Sequence, residues 1–230
     1  MTLALTGPAI AGAASFAGAV GYESYEGAGQ VTRAALGVGV VKLEQGAEAS
    51  LAVVRYDDNS VGPGSSLTLA LGLPLETPLT LRSQGSRFFG DQSYRAWRAK
   101  VGPQWSFSGG ASVWLAYAHF EDNQEFHLDG GALESATPLT TRLTAKLNAS
   151  YAIGSQDLTS LQGSVGLGWV VVPHLELSGE VGLAQNGASV AASFATPLLP
   201  ILGDPEPSSR RAPEDQVSST ALLGLRVFFP

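Results

Sequence analysis

Between residues 139 and 153 the chain alternates with one fault. Leu139, Leu143, Ala145, Leu147, Ala149, Tyr151 and Ile153 share one parity, which Thr141 interrupts, while Thr140, Arg142, Thr144, Lys146, Asn148 and Ser150 share the other. A period of two sends successive side chains to opposite faces of an extended strand, whereas a helix would scatter both sets around its circumference. Residues 175 to 184 repeat the pattern, with Leu175, Leu177, Val181 and Leu183 opposite Glu176, Ser178, Glu180 and Gly182. Residues 65 to 73 do so again through Leu67, Leu69, Leu71 and Leu73. The chain is therefore all-β.

The same template predicts strands near residues 16–25, 31–43, 47–56, 65–74, 79–84, 93–107, 111–121, 139–153, 159–172, 175–185, 188–196 and 217–229. That makes about 12 strands, and boundary uncertainty also admits about 10 or 14. The connections at residues 44–46, 75–78, 108–110, 154–158 and 185–187 read as short turns at one end. Those at 26–30, 57–64, 84–92, 121–138 and 197–216 read as longer polar loops at the other, where only Pro173-His174 is tight. Short turns at one end and long loops at the other are the habit of outer-membrane barrels.

Composition decides which face meets which medium. Charged residues make up 14% of the chain, against roughly 25% in soluble proteins. The apolar faces are free of charge through their middles, and Arg82, Arg98, Lys100, Arg142, Lys146, Glu176, Glu180 and Arg226 fall on the opposite parity, as do Glu23, Arg33 and Glu48. The polar parity also collects Gly37, Gly39, Ala70, Gly72, Ser164, Gly166 and Gly168, small residues suited to a crowded concave wall. Tyr22, Trp97, Trp105, Tyr151 and Trp169 sit near strand ends, where aromatic girdles meet the membrane interfaces. The expected architecture is a closed antiparallel up-and-down transmembrane β-barrel. Residues 15 to 230 form it as one domain, and residues 1 to 14 are the remnant of a signal peptide or an N-terminal segment.

The run from Thr220 to Pro230 resembles the last strand of bacterial outer-membrane β-barrels, which alternates apolar residues and ends on an aromatic. Phe228 and Phe229 stand in that place, and Pro230 after them departs from the pattern. The resemblance implies a bacterial outer-membrane location. It also implies that the outer-membrane assembly machinery reads these two phenylalanines.

Several chemistries are set aside. The net charge of −7 and 13 scattered basic residues argue against nucleic acid. Cysteine is absent, and His119, His127 and His174 fall in no metal-ligand spacing, so neither a metal nor a cofactor is expected. Some outer-membrane barrels are lipid hydrolases with Ser and His at the membrane-facing rim, but Ser112 and His119 lie roughly 20 Å apart along one strand, and no enzyme is expected. The informative constellation is the lumen. Arg98 and Lys100 on the sixth expected strand and Arg142 and Lys146 on the eighth would line one wall, with Glu176 and Glu180 on the tenth. Such a field can select charged solutes, or the groups can pair and fill the interior. The expected function is a narrow channel or export conduit for polar, anionic solutes. The alternatives are a membrane anchor or partner platform with an occluded lumen, a lipid hydrolase, and a soluble β-barrel binding protein.

Overall fold

The computed structural model describes residues 14–25, 28–42, 47–58, 62–76, 78–90, 95–123, 127–154, 159–185 and 217–229. Among the described residues there are twelve strands: β1 (Ala14–Tyr25), β2 (Ala28–Lys42), β3 (Glu48–Asp58), β4 (Gly62–Glu76), β5 (Leu79–Phe89), β6 (Arg95–Ser106), β7 (Ser112–Asp122), β8 (His127–Pro138), β9 (Leu143–Gly154), β10 (Thr159–Val172), β11 (Leu175–Gln185) and β12 (Val217–Phe229). Each strand pairs antiparallel with its neighbours in sequence, β1 also pairs with β12, and the sheet order is that of a closed barrel. The all-β, antiparallel, up-and-down expectation agrees with this order.

Two expected elements need comment. Residues 121–138, read as a loop, hold β8 instead, and the strand expected at residues 188–196 lies outside the described residues. Inserting β8 reverses the ends of the later connections. Residues 43–47, 77–78, 107–111, 139–142 and 173–174 connect strands at one end, here the turn end. Residues 26–27, 59–61, 90–94, 123–126, 155–158 and 186–216 connect strands at the opposite, loop end. The connection at 155–158 thus changes ends, Pro173-His174 joins the short turns, and most expected long loops shrink because the strands extend further into them.

Local chemistry sets the turns. Gly110 takes φ +78° in the β6–β7 turn, a conformation that costs glycine nothing, and its N–H donates to the Phe107 carbonyl at 2.9 Å. In the β8–β9 turn the Thr140 hydroxyl accepts from the backbone N–H groups of Arg142 and Leu143 at 3.2 and 3.0 Å.

The surface is inverted relative to a soluble domain. Leu51, Val53, Leu69, Leu73, Leu115, Leu147, Val165, Leu177 and Leu225 are exposed, while Ser66, Gln84, Arg98, Lys100, Glu134, Asn148 and Gln162 are buried. At roughly 25 cal/mol per Å², leaving so many large apolar side chains in water would cost far more than a domain's net stability. The outer face suits lipid. On β2 both faces are small and apolar, so parity is hard to read there. Gly37 and Gly39 pair with the exposed Val53 and Leu51, which corrects their expected place on the inner face, and the side chain of Arg33 lies outside what is described.

Candidate functional site in the barrel interior

Even-numbered residues of β3 to β11 point inward, and register stacks them into layers. At the loop end Phe88, Ala96, Phe120, Leu128 and Ala152 are buried, forming an apolar layer over β5 to β9. Below it lies Arg98, also buried, 3.4 Å from the Ser86 hydroxyl and 5.4 Å over the Phe88 ring.

The next layer is ionic. The Lys100 ammonium donates to one carboxylate oxygen of Glu134, and the Arg82 guanidinium stands 3.8 Å from the other. Trp114 supplies the floor, with Arg82 4.0 Å and Lys100 5.1 Å from its ring centroid. A local fault in the sheet holds the indole. Pro103 has no N–H to give, the β6–β7 pairing breaks between Val101 and Gln104, and Trp114 Nε1 donates to the Gly102 carbonyl at 3.1 Å. Arg82 also donates to Gln104 Oε1 at 3.2 Å and borders a cavity of about 440 Å³ lined by Glu48, Ser50, Thr80, Gln104 and Ser106.

A second polar cluster continues round the wall. Ser164 donates to Glu180 Oε1 at 2.5 Å, and Asn148 Nδ2 lies 3.1 Å from Ser164 and 3.4 Å from Glu180. Toward the turn end Glu176 is shared by Lys146 at 3.7 Å and Arg226 at 3.9 Å. Gly168 leaves room for that group, since a Cβ there would stand 2.6 Å from Glu176 Oε1. Among the described residues, five inward cations (Arg82, Arg98, Lys100, Lys146, Arg226) face five inward carboxylates (Glu134, Glu176 and Glu180 in these layers, Glu48 and Asp122 nearer the two ends).

Seven of the eight expected lumen residues thus point into the barrel. Arg142 does not: it is exposed in the β8–β9 turn, and its carbonyl accepts from Val170 N–H at 2.8 Å. Lys146 and the Arg98–Lys100 pair are three strands apart, because β8 intervenes. Sequence reasoning missed Glu134 and Trp114, the partners that organise the cations. The alternation of Leu128, Ala132 and Glu134 was the available signal for that strand. On the outer face Trp97 and Tyr151 are exposed near the loop end, and Trp169 is exposed toward the turn end with Trp105 half-buried there. Tyr22 pairs with Val31 and Ala221, and Phe228 and Phe229 with Ser15 and Ala14; the side chains of all three lie outside what is described. Ser112 and His119 are at opposite ends of β7 and on opposite faces, so they share no proton. Among the described residues no group of three or more His, Asp or Glu could hold a metal ion.

No family model matches the chain, and no curated protein matches it. Solved structures do. The KdgM porin in complex with disordered oligogalacturonate aligns with a TM-score of 0.61 at 13% identity, over 93% of this chain and 99% of that one. The NanC porin aligns at 0.62 and 9% identity over 94% and 99% of the two chains. An outer membrane channel from Pseudomonas putida aligns at 0.62 and 10% identity over 96% of each. These neighbours are outer-membrane porins and channels, and at such identities the likeness is one of fold.

Proposed function

We propose that this chain is a bacterial outer-membrane channel, a closed barrel of twelve strands that passes small polar, anionic solutes. One observation carries the reading: an apolar outer face surrounds a charged interior in which Arg82, Lys146 and Arg226 keep part of their side chains open. Fixed charge in a narrow passage favours counter-ions, and the counter-ion of these three open cations is an anion. That one porin neighbour was solved with oligogalacturonate, a polyanion, is consistent with it.

The interior is unevenly filled, which assigns the cations different tasks. Lys100 is sealed at 0% side-chain exposure, whereas Arg82 keeps 29%, Lys146 21% and Arg226 19%. Arg82, Lys146 and Arg226 are the groups that meet solute; Arg98 and Lys100 hold the filled wall together. The less filled side runs along β10 to β12, where the half-buried inward residues Gly166, Ser178, Gly182 and Gly224 are small. In this reading residues 15 to 230 are one barrel domain preceded by residues 1 to 14. Trp97, Tyr151, Trp105 and Trp169 mark the two interfaces, with Tyr22 joining the loop-end girdle, and Phe228 and Phe229 are presented to the assembly machinery.

A second reading, an anchor or partner platform with an occluded lumen, is favoured by the Lys100–Glu134–Arg82 group and the apolar layer above it, which already close the β5 to β9 side. Two measurements decide. Circular dichroism and heat-modifiable gel migration with and without detergent should show detergent-dependent β structure; folding in plain buffer would overturn the membrane reading. Planar-bilayer recording under a potassium chloride gradient should then give a reversal potential of anion-selective sign. A correctly folded barrel that passes no current would establish the occluded form instead.

A further inference from the structure

The outer face carries charge that a channel has no use for. Among residues whose side chains are described, the outward charged groups Arg55, Arg87, Arg95, Glu121 and Asp129 all lie within three residues of the loop end, on β3 and β5 to β8. The outer faces of β9, β10 and β11 are instead apolar almost to that end, with Ile153, Leu161 and Leu183 exposed. Arginine facing lipid is costly at mid-bilayer and costs close to nothing at the interface. Position alone makes these charges tolerable, but it gives them no purpose.

Most of them are answered within the chain. Asp129 accepts from the Tyr117 hydroxyl and lies 2.8 Å from His119 Nδ1, and Trp97 Nε1 donates to Glu121 at 3.1 Å. Arg95 stands 5.4 Å over the Phe89 ring and donates to the Gly90 carbonyl at 3.5 Å. Arg55 and Arg87 differ, being exposed and having no ion pair or hydrogen bond among the described residues. Only β4 separates their strands. Arg55 pairs in register with Ser65, and Arg87 with Leu67 on one side and Trp97 on the other. Two strand spacings of about 4.8 Å and one residue pair along the strand part them, so two long side chains can converge on one group. Toward mid-bilayer the same wall presents exposed Val53, Leu67, Leu69 and Leu71.

Two unpaired guanidinium groups at a membrane rim, above a leucine wall and beside an indole, match one ligand chemistry. We propose that Arg55 and Arg87 form a docking site for a phosphorylated lipid of the outer leaflet, its phosphate held between the two guanidinium groups and its acyl chains against β3 and β4. The fork of arginine suits phosphate oxygens two at a time. This site rests on the outer-membrane reading above, but it does not depend on conduction.

The test uses the full chain refolded in detergent micelles, with bound lipid counted by native mass spectrometry against diphosphorylated lipid A, phosphatidylcholine or inorganic phosphate. The wild type should retain lipid A in preference to phosphatidylcholine. Arg55→Gln with Arg87→Gln should weaken that retention about tenfold or more, the scale of one lost charge-assisted contact, while bilayer conductance stays at wild-type level and the control Arg142→Gln, in the turn at the opposite end, retains lipid A as the wild type does. Equal retention by the double variant would overturn the proposal. So would full competition by inorganic phosphate at equal concentration, which marks an ion site, or a dimer lost in the double variant, which marks a second copy as occupant. Heat-modifiable migration separates the two readings: a properly folded barrel indifferent to lipid A sinks this site alone, and a chain folded without detergent sinks both.

Discussion

Glu134 on β8 takes the ammonium of Lys100 on β6 across the whole width of β7, and both side chains are enclosed. An ion pair this deep gains little over a well-packed apolar pair, yet removing one partner strands the other charge. Glu134→Leu should therefore cost about 3–5 kcal/mol in denaturant unfolding from micelles. Adding Lys100→Met to it should return most of that loss. A double variant as unstable as the single one would show that the pair is not what holds this layer.

Selectivity should follow exposure. Arg226→Glu or Lys146→Glu should move the reversal potential toward cation preference, because these side chains remain open to the passage beside Glu176. Arg98→Met should leave it nearly unchanged, since that guanidinium is buried. Recordings in which the buried position matters more than the open ones would place the permeation path on the opposite wall.

Trp114 should act as a stopper. It is buried under Arg82 and Lys100 and tied to the Gly102 carbonyl. Trp114→Ala should lower unfolding stability by about 3–5 kcal/mol and raise single-channel conductance. Loss of stability with no change in conductance would confine its role to packing.

Two glycines give a matched pair. A Cβ on Gly130 would clash with the Tyr151 carbonyl oxygen, which is backbone and cannot turn aside, whereas one on Gly85 would meet nothing within 4 Å. Gly130→Ala should prevent heat-modifiable folding, and Gly85→Ala should shift stability by no more than about 0.5 kcal/mol. Gel migration compares them directly.

What the sequence made legible was the alternation and the face on which the charges lie. Strands such as β9 and β11 have a leucine-rich outer parity and a polar inner one, so period and polarity agree. β8 was unreadable because its polarity is inverted toward the loop end: Leu128 and Ala132 face inward and His127 and Asp129 outward. The lumen's ionic order was lost with it. Without Glu134 the wall reads as bare cations, and only a strand's pairing reveals that a carboxylate three strands from Arg82 lies within 4 Å of it. Arg142 was misplaced for a related reason, since the alternation of residues 139–153 runs on through a turn that breaks the strand without breaking the pattern.

The charged collar of β3 and β5 to β8 and the uncharged rim of β9 to β11 give this cylinder two hydrophobic heights. A bilayer of even thickness cannot match both walls of an upright barrel. Tilting sinks the taller wall into the leaflet, and local thinning accommodates the shorter one at its collar. In the proposed membrane setting the barrel axis should tilt off the membrane normal, in a direction set by where the arginines stop and the leucines continue.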